Sequence, residues 1–178
     1  MSRPFGTGLT PGNSTAVVII ASTRAASGVY PDRTGPVIVE WLTTRGFEVT
    51  GPQVCADGPD VAAALRQSVG AAPGSVAADL VITSGGTGIS PTDRTPQATA
   101  DVLDYEIPGL AAAIRAAGSD KVPTAVLSRG LAGVAGRTLV VNLPGSSGGV
   151  RDGLGVLGLV LDHALDQLRG GDHRAGGS

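Results

Sequence analysis

Asp79-Leu-Val-Ile-Thr-Ser-Gly-Gly-Thr-Gly-Ile-Ser-Pro-Thr-Asp-Arg-Thr-Pro-Gln-Ala-Thr99 is the stretch that decides the fold of this 178-residue chain. Leu80-Val81-Ile82 is short, apolar and rich in β-branched residues, which predicts a buried strand. The strand runs through Thr83-Ser84 into Gly85-Gly86-Thr87-Gly88, a turn that glycine alone keeps tight and open to a ligand. Thr95-Pro96 reads as an N-cap followed by proline at the first helical position, so a helix is predicted over 95–103. Strand, glycine loop, carboxylate (Asp93) and helix start together suit an anion held by backbone N–H groups, with a cation beside it. That combination points to a phosphate-bearing ligand with Mg²⁺. A glycine loop after a strand is also an ordinary turn, and the four residues alone leave both readings open. Asp93, Thr95-Pro96 and a second glycine turn near residue 145 favour the ligand.

Working back toward the N-terminus, Ala16-Val-Val-Ile-Ile-Ala21 predicts a first strand buried on both faces, as parallel sheets require. It delivers Ser22-Thr23-Arg24 to the carboxyl end of a strand, where open α/β sheets place ligand contacts. A helix over 36–45 carries Val37, Ile38, Trp41 and Leu42 on one face, with Trp41 read as a core or interface residue, and Gly46 ends it. Phe47-Glu-Val-Thr50 alternates and predicts a strand near a sheet edge. After Val54-Cys55-Ala56-Asp57, a helix opening at Pro59-Asp60 repeats Val61, Leu65 and Val69. Asp57 has two readings. It caps that helix, or it is the second carboxylate of a Mg²⁺ site, and the residues by themselves favour the cap.

Toward the C-terminus, a helix is predicted over 109–117 and a strand over 123–128, ending at Ser128-Arg129. Residues 131–137 read as a Gly/Ala turn, and Thr138–Asn142 as the last strand. That strand leads into Leu143-Pro144-Gly145-Ser146-Ser147-Gly148-Gly149, the second glycine turn. One closing helix is predicted from Val150 to Leu168, with Gly153, Gly155 and Gly158 each weakening it by about 1 kcal/mol relative to alanine. Residues 1–14 and 169–178 read as tails, leaving one domain over 15–168. Strands alternating with helices predict an open, mostly parallel α/β sheet with both glycine turns along one crevice.

Composition excludes several classes. Five aromatic residues leave little for stacking bases, and a net charge of −2 without like-charge blocks offers no nucleic-acid surface. No apolar run reaches membrane-spanning length, no signal-peptide pattern is read before Ala16, and Cys55 is the only cysteine, so a cytoplasmic protein is expected. Lys121 is the only lysine; a P-loop, which needs lysine directly after its second glycine, is therefore excluded. His163 and His173 have no partners at zinc-ligand spacing. There is no G-x-S-x-G elbow and no G-x-G-x-x-G after the first strand.

Four ordered motifs carry a family resemblance: Ser27–Gly35, Thr83–Gly88 with Asp93-Arg-Thr-Pro96, Pro123–Arg129, and Asn142-Leu-Pro-Gly-Ser146. Over 15–168 the chain resembles the molybdopterin adenylyltransferases, the Mog/MoaB-type proteins of molybdenum-cofactor biosynthesis. The resemblance implies a three-layer α/β/α domain of the molybdopterin-binding kind, assembled as a homotrimer, that adenylylates molybdopterin with Mg-ATP and releases pyrophosphate. It implies catalytic and Mg²⁺-binding roles for Asp57 and Asp93, which overrides the cap reading of Asp57. It also implies an active-site role for Gly85, Gly86, Thr87 and Gly88, and ligand-lining positions at Ser128, Asn142, Pro144, Gly145 and Ser146. Ser22, Thr95, Pro96, Arg129 and Ser147 join them as substrate-binding candidates at the strand ends and helix start. A molybdenum-insertion partner protein is a further expectation. Ser22-Thr23, Pro91-Thr92 and Ser147-Gly148-Gly149 depart from the common family pattern. The alternative within the resemblance is a pterin-binding homologue without catalysis, acting as carrier or scaffold; a competence-damage-type nucleotide enzyme on the same fold is a more distant one.

Overall fold

The computed structural model describes residues 14–170. Strands β1 (Thr15–Ala21), β2 (Glu48–Cys55), β3 (Leu80–Ser84), β4 (Tyr105–Glu106), β5 (Ala132–Ala135) and β6 (Thr138–Leu143) form one sheet in the order β2-β1-β3-β6-β5-β4. The β2–β1, β1–β3 and β3–β6 pairs are parallel; β5 and β4 add an antiparallel end. The sheet is mostly parallel, as the alternating pattern predicts.

The helices are α1 (Thr23–Ala26), α2 (Gly35–Thr44), α3 (Pro59–Ser68), α4 (Thr95–Ala100), α5 (Pro108–Ser119), α6 (Ser147–Gly158) and α7 (Leu161–Leu168). Because side chains alternate along a strand, the continuous apolar runs feed two separate cores. Val18, Ile20, Leu80, Ile82, Leu139 and Val141 pack with Ile38 and Leu42 of α2, Ile114 of α5, and Leu154, Leu157, Leu161 and Leu165 of α6 and α7. Ile19, Val81 and Val140 face the other way, onto Val61 and Leu65 of α3 and Ala98 of α4. The result is three layers, α/β/α. At the sheet edge, β2 is mostly exposed, and its register against β1 shifts between Val17 and Ile19, beside Pro52. Edge strands and bulges are where a strand tolerates proline.

Four sequence-based expectations give way. Residues 123–127 form a 3₁₀ helix, not a strand. Pro123 starts it, and Ala125 packs near Gly118 of α5, while Val126 and Leu127 stay exposed; their apolar composition mimics a buried strand. The Gly/Ala stretch after it is a strand, β5, all four residues buried and returning through Gly136 (φ +60°) to β6. Its small residues carry no β-propensity signal. They are needed, because a side chain at Gly133 would lie 2.5 Å from the Tyr105 carbonyl and 2.6 Å from Leu103. The closing helix is two helices, parted at the exposed Leu159 and Val160. The buried leucines 154, 157, 161 and 165 keep helical phase across the break, which hides it in the sequence. Finally, α4 is six residues long and begins at Thr95 itself, with Arg94 as its N-cap residue.

The expected tails lie largely outside the described residues. Where they enter them, Ser14 is buried and accepts at its hydroxyl a 2.6 Å hydrogen bond from Arg169, which also pairs with Asp79 at 3.4 Å.

Candidate active site: two glycine loops and two carboxylates

Parallel register brings the site together. Ile20 pairs with Ser84 and Ser84 with Leu143, so β1, β3 and β6 end side by side, and β2 ends at Cys55 opposite Ala21. The loops that follow these strands therefore open onto one edge of the sheet. Ser22, Asp57, Gly85 and Pro144 all belong to them.

Asp57 is not a helix cap. The N-cap residue of α3 is Gly58, in a φ of +95° that glycine favours, and no side chain bonds the first turn. Instead, Asp57 Oδ2 accepts hydrogen bonds from the Thr23 N–H (3.2 Å) and hydroxyl (2.9 Å). Asp57 Oδ1 is buried and has no partner. A buried carboxylate oxygen left unpaired costs free energy, so this atom is set for a ligand or cation.

The first glycine loop packs against that oxygen. Gly85 and Gly86 have φ of +93° and +63°, and a Cβ on Gly86 would sit 2.3 Å from Thr95 Oγ1 and 2.8 Å from Asp57 Oδ1. Thr95 Oγ1 is likewise buried and unpartnered, while the Thr95 N–H closes the loop onto the Gly86 carbonyl at 3.1 Å. Thr95 thus serves as the first residue of α4, with Pro96 second, and its hydroxyl faces the loop rather than capping the helix. Asp93 Oδ2 accepts from the Ser90 N–H at 3.2 Å and lies 2.7 Å from where a Gly88 Cβ would be. One loop therefore shapes itself to both carboxylates.

The second glycine loop meets the first backbone to backbone. The Gly85 N–H donates to the Leu143 carbonyl at 3.2 Å, and a Cβ on Gly145 would stand 3.3 Å from the Gly85 Cα. Ser146 caps α6 by accepting from the Gly149 N–H (3.1 Å), so the positive end of this 12-residue helix, with Ser147 and Gly148, lines the cleft.

Two lobes form the cleft. One, about 810 Å³, is lined by Ser22, Arg24, Asp32, Arg33 and Asp57; the other, about 670 Å³, by Thr87, Gly88, Arg115, Lys121, Ser128 and Pro144. Gly85, Gly86, Asp93, Gly145 and Ser146 belong to both walls. A larger groove of about 1010 Å³ runs along the β2 edge and α3 but holds neither glycine loop nor either carboxylate.

Four candidates lie behind the cleft rather than on its surface: Thr95 and Pro96, buried at the start of α4, and Asn142 and Arg129. Asn142 is buried; its amide donates to Thr83 and Thr99 hydroxyls (both 2.9 Å), and its Oδ1 accepts from the Leu131 N–H at 3.0 Å. Arg129 donates to the carbonyls of Gly88 (2.8 Å) and Asp93 (2.6 Å). Ser128 stays on the wall, its hydroxyl 3.4 Å from that of Thr87.

The sequence reading missed Asp32 and Ser84, and placed Thr23 at the ligand edge without its bond to Asp57. Asp32 Oδ1 accepts from the Thr34 N–H, the Thr34 hydroxyl and the Gly35 N–H, holding the start of α2. Ser84 bonds the Thr34 hydroxyl (3.1 Å) and the Pro144 carbonyl (2.8 Å). An aspartate two residues before Thr34-Gly35-Pro36 was the available signal.

Among the described residues, no group of three His, Cys, Asp or Glu side chains converges on a metal position. Two carboxylates beside a phosphate-suited loop fit Mg²⁺ nonetheless, since that ion is commonly held by one or two carboxylates together with substrate phosphates and water. The unpartnered Asp57 Oδ1 is the observation that supports the fit.

Comparison with known proteins agrees with this geometry. Residues 17–163 match the family model described as "Probable molybdopterin binding domain". The chain is 36% identical over 140 residues to the molybdopterin adenylyltransferase of Escherichia coli K12, covering 77% of this chain and 70% of that one. It is 39% identical over 159 residues to the molybdenum cofactor biosynthesis bifunctional protein of Synechococcus elongatus, covering 89% of this chain. It spans about half (48%) of that longer relative. Among solved structures, the molybdopterin biosynthesis Mog protein from Mycobacterium ulcerans superposes with a TM-score of 0.82 at 60% identity, covering 91% of this chain and 99% of that one. With the two glycine loops, the carboxylates beside them and the matched family model all in the same domain, the chain belongs to the molybdopterin-binding domain family.

Proposed function

We propose that this protein works in molybdenum-cofactor biosynthesis as a molybdopterin adenylyltransferase. The observation that carries the reading is that one glycine loop, on the shared wall of a two-lobed cleft, shapes itself to both Asp57 and Asp93. In the reaction, a terminal phosphate oxygen of molybdopterin attacks the α-phosphorus of ATP. The bond from that phosphorus to its bridging oxygen breaks, and pyrophosphate leaves. Such a transfer needs alignment and charge neutralisation more than covalent help from the protein.

The chain's own groups supply alignment. The glycine loops let backbone approach the phosphates without a side chain between, and the α6 N-terminus adds fixed positive potential. Arg24 and Arg33 bring positive charge to one lobe; Lys121, ion-paired with Asp152, lines the other. Asp57 and Asp93 would hold Mg²⁺, which when bound offsets charge on the triphosphate. The reading extends to a homotrimer in the cytoplasm that hands its product to a molybdenum-insertion protein, with sedimentation velocity as the check on assembly.

The decisive experiment follows adenylyl-molybdopterin by chromatography from purified protein, molybdopterin and Mg-ATP. Wild type is expected to form product, Asp57→Asn and Asp93→Asn to lose about 10³-fold in rate, and pterin affinity to survive in both. No product from wild type, with tight pterin binding intact, would establish the carrier reading instead.

A further inference from the structure

We propose that Arg129 is a positioning residue: it straps the exposed outer arc of the first glycine loop and thereby sets the Asp93 carboxylate. The sequence places Arg129 among the substrate contacts, but its guanidinium is directed elsewhere. Nε donates to the Gly88 carbonyl at 2.8 Å and Nη2 to the Asp93 carbonyl at 2.6 Å, one bond at each end of the 88–93 arc. Its own N–H donates to the Thr87 carbonyl at 2.8 Å, so the strap starts directly beside the arc.

The loop base is closed by Thr95 on Gly86. Within the arc, Ser90 and Asp93 bond each other, Ser90 Oγ meets Thr92 Oγ1, and Ile89, Ser90, Pro91 and Thr92 are exposed. Among the described residues, Arg129 makes the only hydrogen bonds from that arc to the rest of the protein. A planar guanidinium can reach two carbonyls with fixed geometry; an ammonium on a flexible stem cannot reproduce the fork. The strap is itself braced, since Arg115 Nη1 donates to the Gly130 carbonyl at 2.9 Å. Side chains that orient a metal-binding carboxylate typically govern metal affinity by about 10- to 100-fold.

This inference rests on the reading of Asp93 as a cation-binding carboxylate, and its test separates the two. Wild type, Arg129→Lys and Arg129→Met are compared by amide hydrogen exchange of peptides spanning 88–93. Mn²⁺ affinity is measured by electron paramagnetic resonance with a non-hydrolysable ATP analogue, and molybdopterin affinity by titration. Faster exchange confined to the arc is expected in both variants, more in Met than in Lys. With it comes Mn²⁺ binding weaker by about 10-fold in Arg129→Met, with partial recovery in Lys and pterin affinity unchanged. Unchanged exchange, or faster exchange with Mn²⁺ affinity intact, overturns the inference, as does a loss of pterin affinity alone. Should wild type bind no Mn²⁺ while the variants still exchange faster, the strap stands and the metal reading of Asp93 falls.

Discussion

Thr23 and Asp57 hold each other from two strand ends. The carboxylate accepts from the Thr23 N–H and hydroxyl at 3.2 and 2.9 Å, and the Asp57 N–H donates back to the same hydroxyl at 3.2 Å. One carboxylate oxygen is thus fixed while the other faces the glycine loop. Thr23→Val removes the hydroxyl with little change in volume and should lower adenylyl transfer about 10-fold, with an unchanged melting temperature; Thr23→Ser should restore it. Steady-state kinetics with a matched thermal scan reads both.

Gly86 cannot take a side chain without cost. Gly86→Ala combines φ of +63° with contacts of 2.3 and 2.8 Å to buried oxygens. A loss of roughly 2 kcal/mol in denaturant unfolding is expected. Gly148→Ala, where nothing lies within 4 Å of the added methyl, is the control and should leave stability within about 0.5 kcal/mol.

Asn142 joins β6 to β3, α4 and the segment before β5 through its whole amide. Asn142→Leu fills the volume but strands the Leu131 N–H and removes the donor to the Thr83 hydroxyl, while the Thr99 hydroxyl keeps its 2.8 Å bond to the Thr95 carbonyl. It should cost about 3 kcal/mol, measured as a shift in urea midpoint at constant slope.

Cys55 supplies a pH prediction. Burial, and secondarily the negative charge of Asp60, push its thiol above the ordinary value. A folded-state value above the unfolded one means stability that is whole below the ordinary thiol value and lost as pH rises through the folded value. Alkylation by iodoacetamide at pH 8 should therefore be slow in the native protein and fast in urea, and native stability should fall above about pH 9.

The central strands were legible because their burial on both faces leaves continuous runs such as Leu80-Val81-Ile82, and the first glycine loop because Asp93, Thr95-Pro96 and a second glycine turn accompany it. The edge character of β2 showed in its alternation. What escaped was set by packing rather than by local preference. Ala132–Ala135 is a strand in which Gly133 fits where Tyr105 and Leu103 leave no room for a side chain, and Pro123–Leu127 is not a strand despite its composition. Within the site, the sequence identified residue types at strand ends but not the direction of their side chains. Asn142 and Arg129 turn inward to brace the loops, and Thr23, placed by the sequence at the end of the first strand, meets Asp57.

The near-contact of Gly85 with Gly145 has a consequence for how two reactants meet. Where the bare backbones of Gly85 and Gly145 meet, the wall between the neighbouring chambers is as thin as a polypeptide allows, with no side chain at that point to act as a spacer. On the proposed reading, one reactant in each lobe would bring its phosphate end to that shared rim. A methyl group on Gly145 would press on the Gly85 Cα and thicken that rim, whereas one on Gly85 would collide instead with the Ala21 carbonyl behind it.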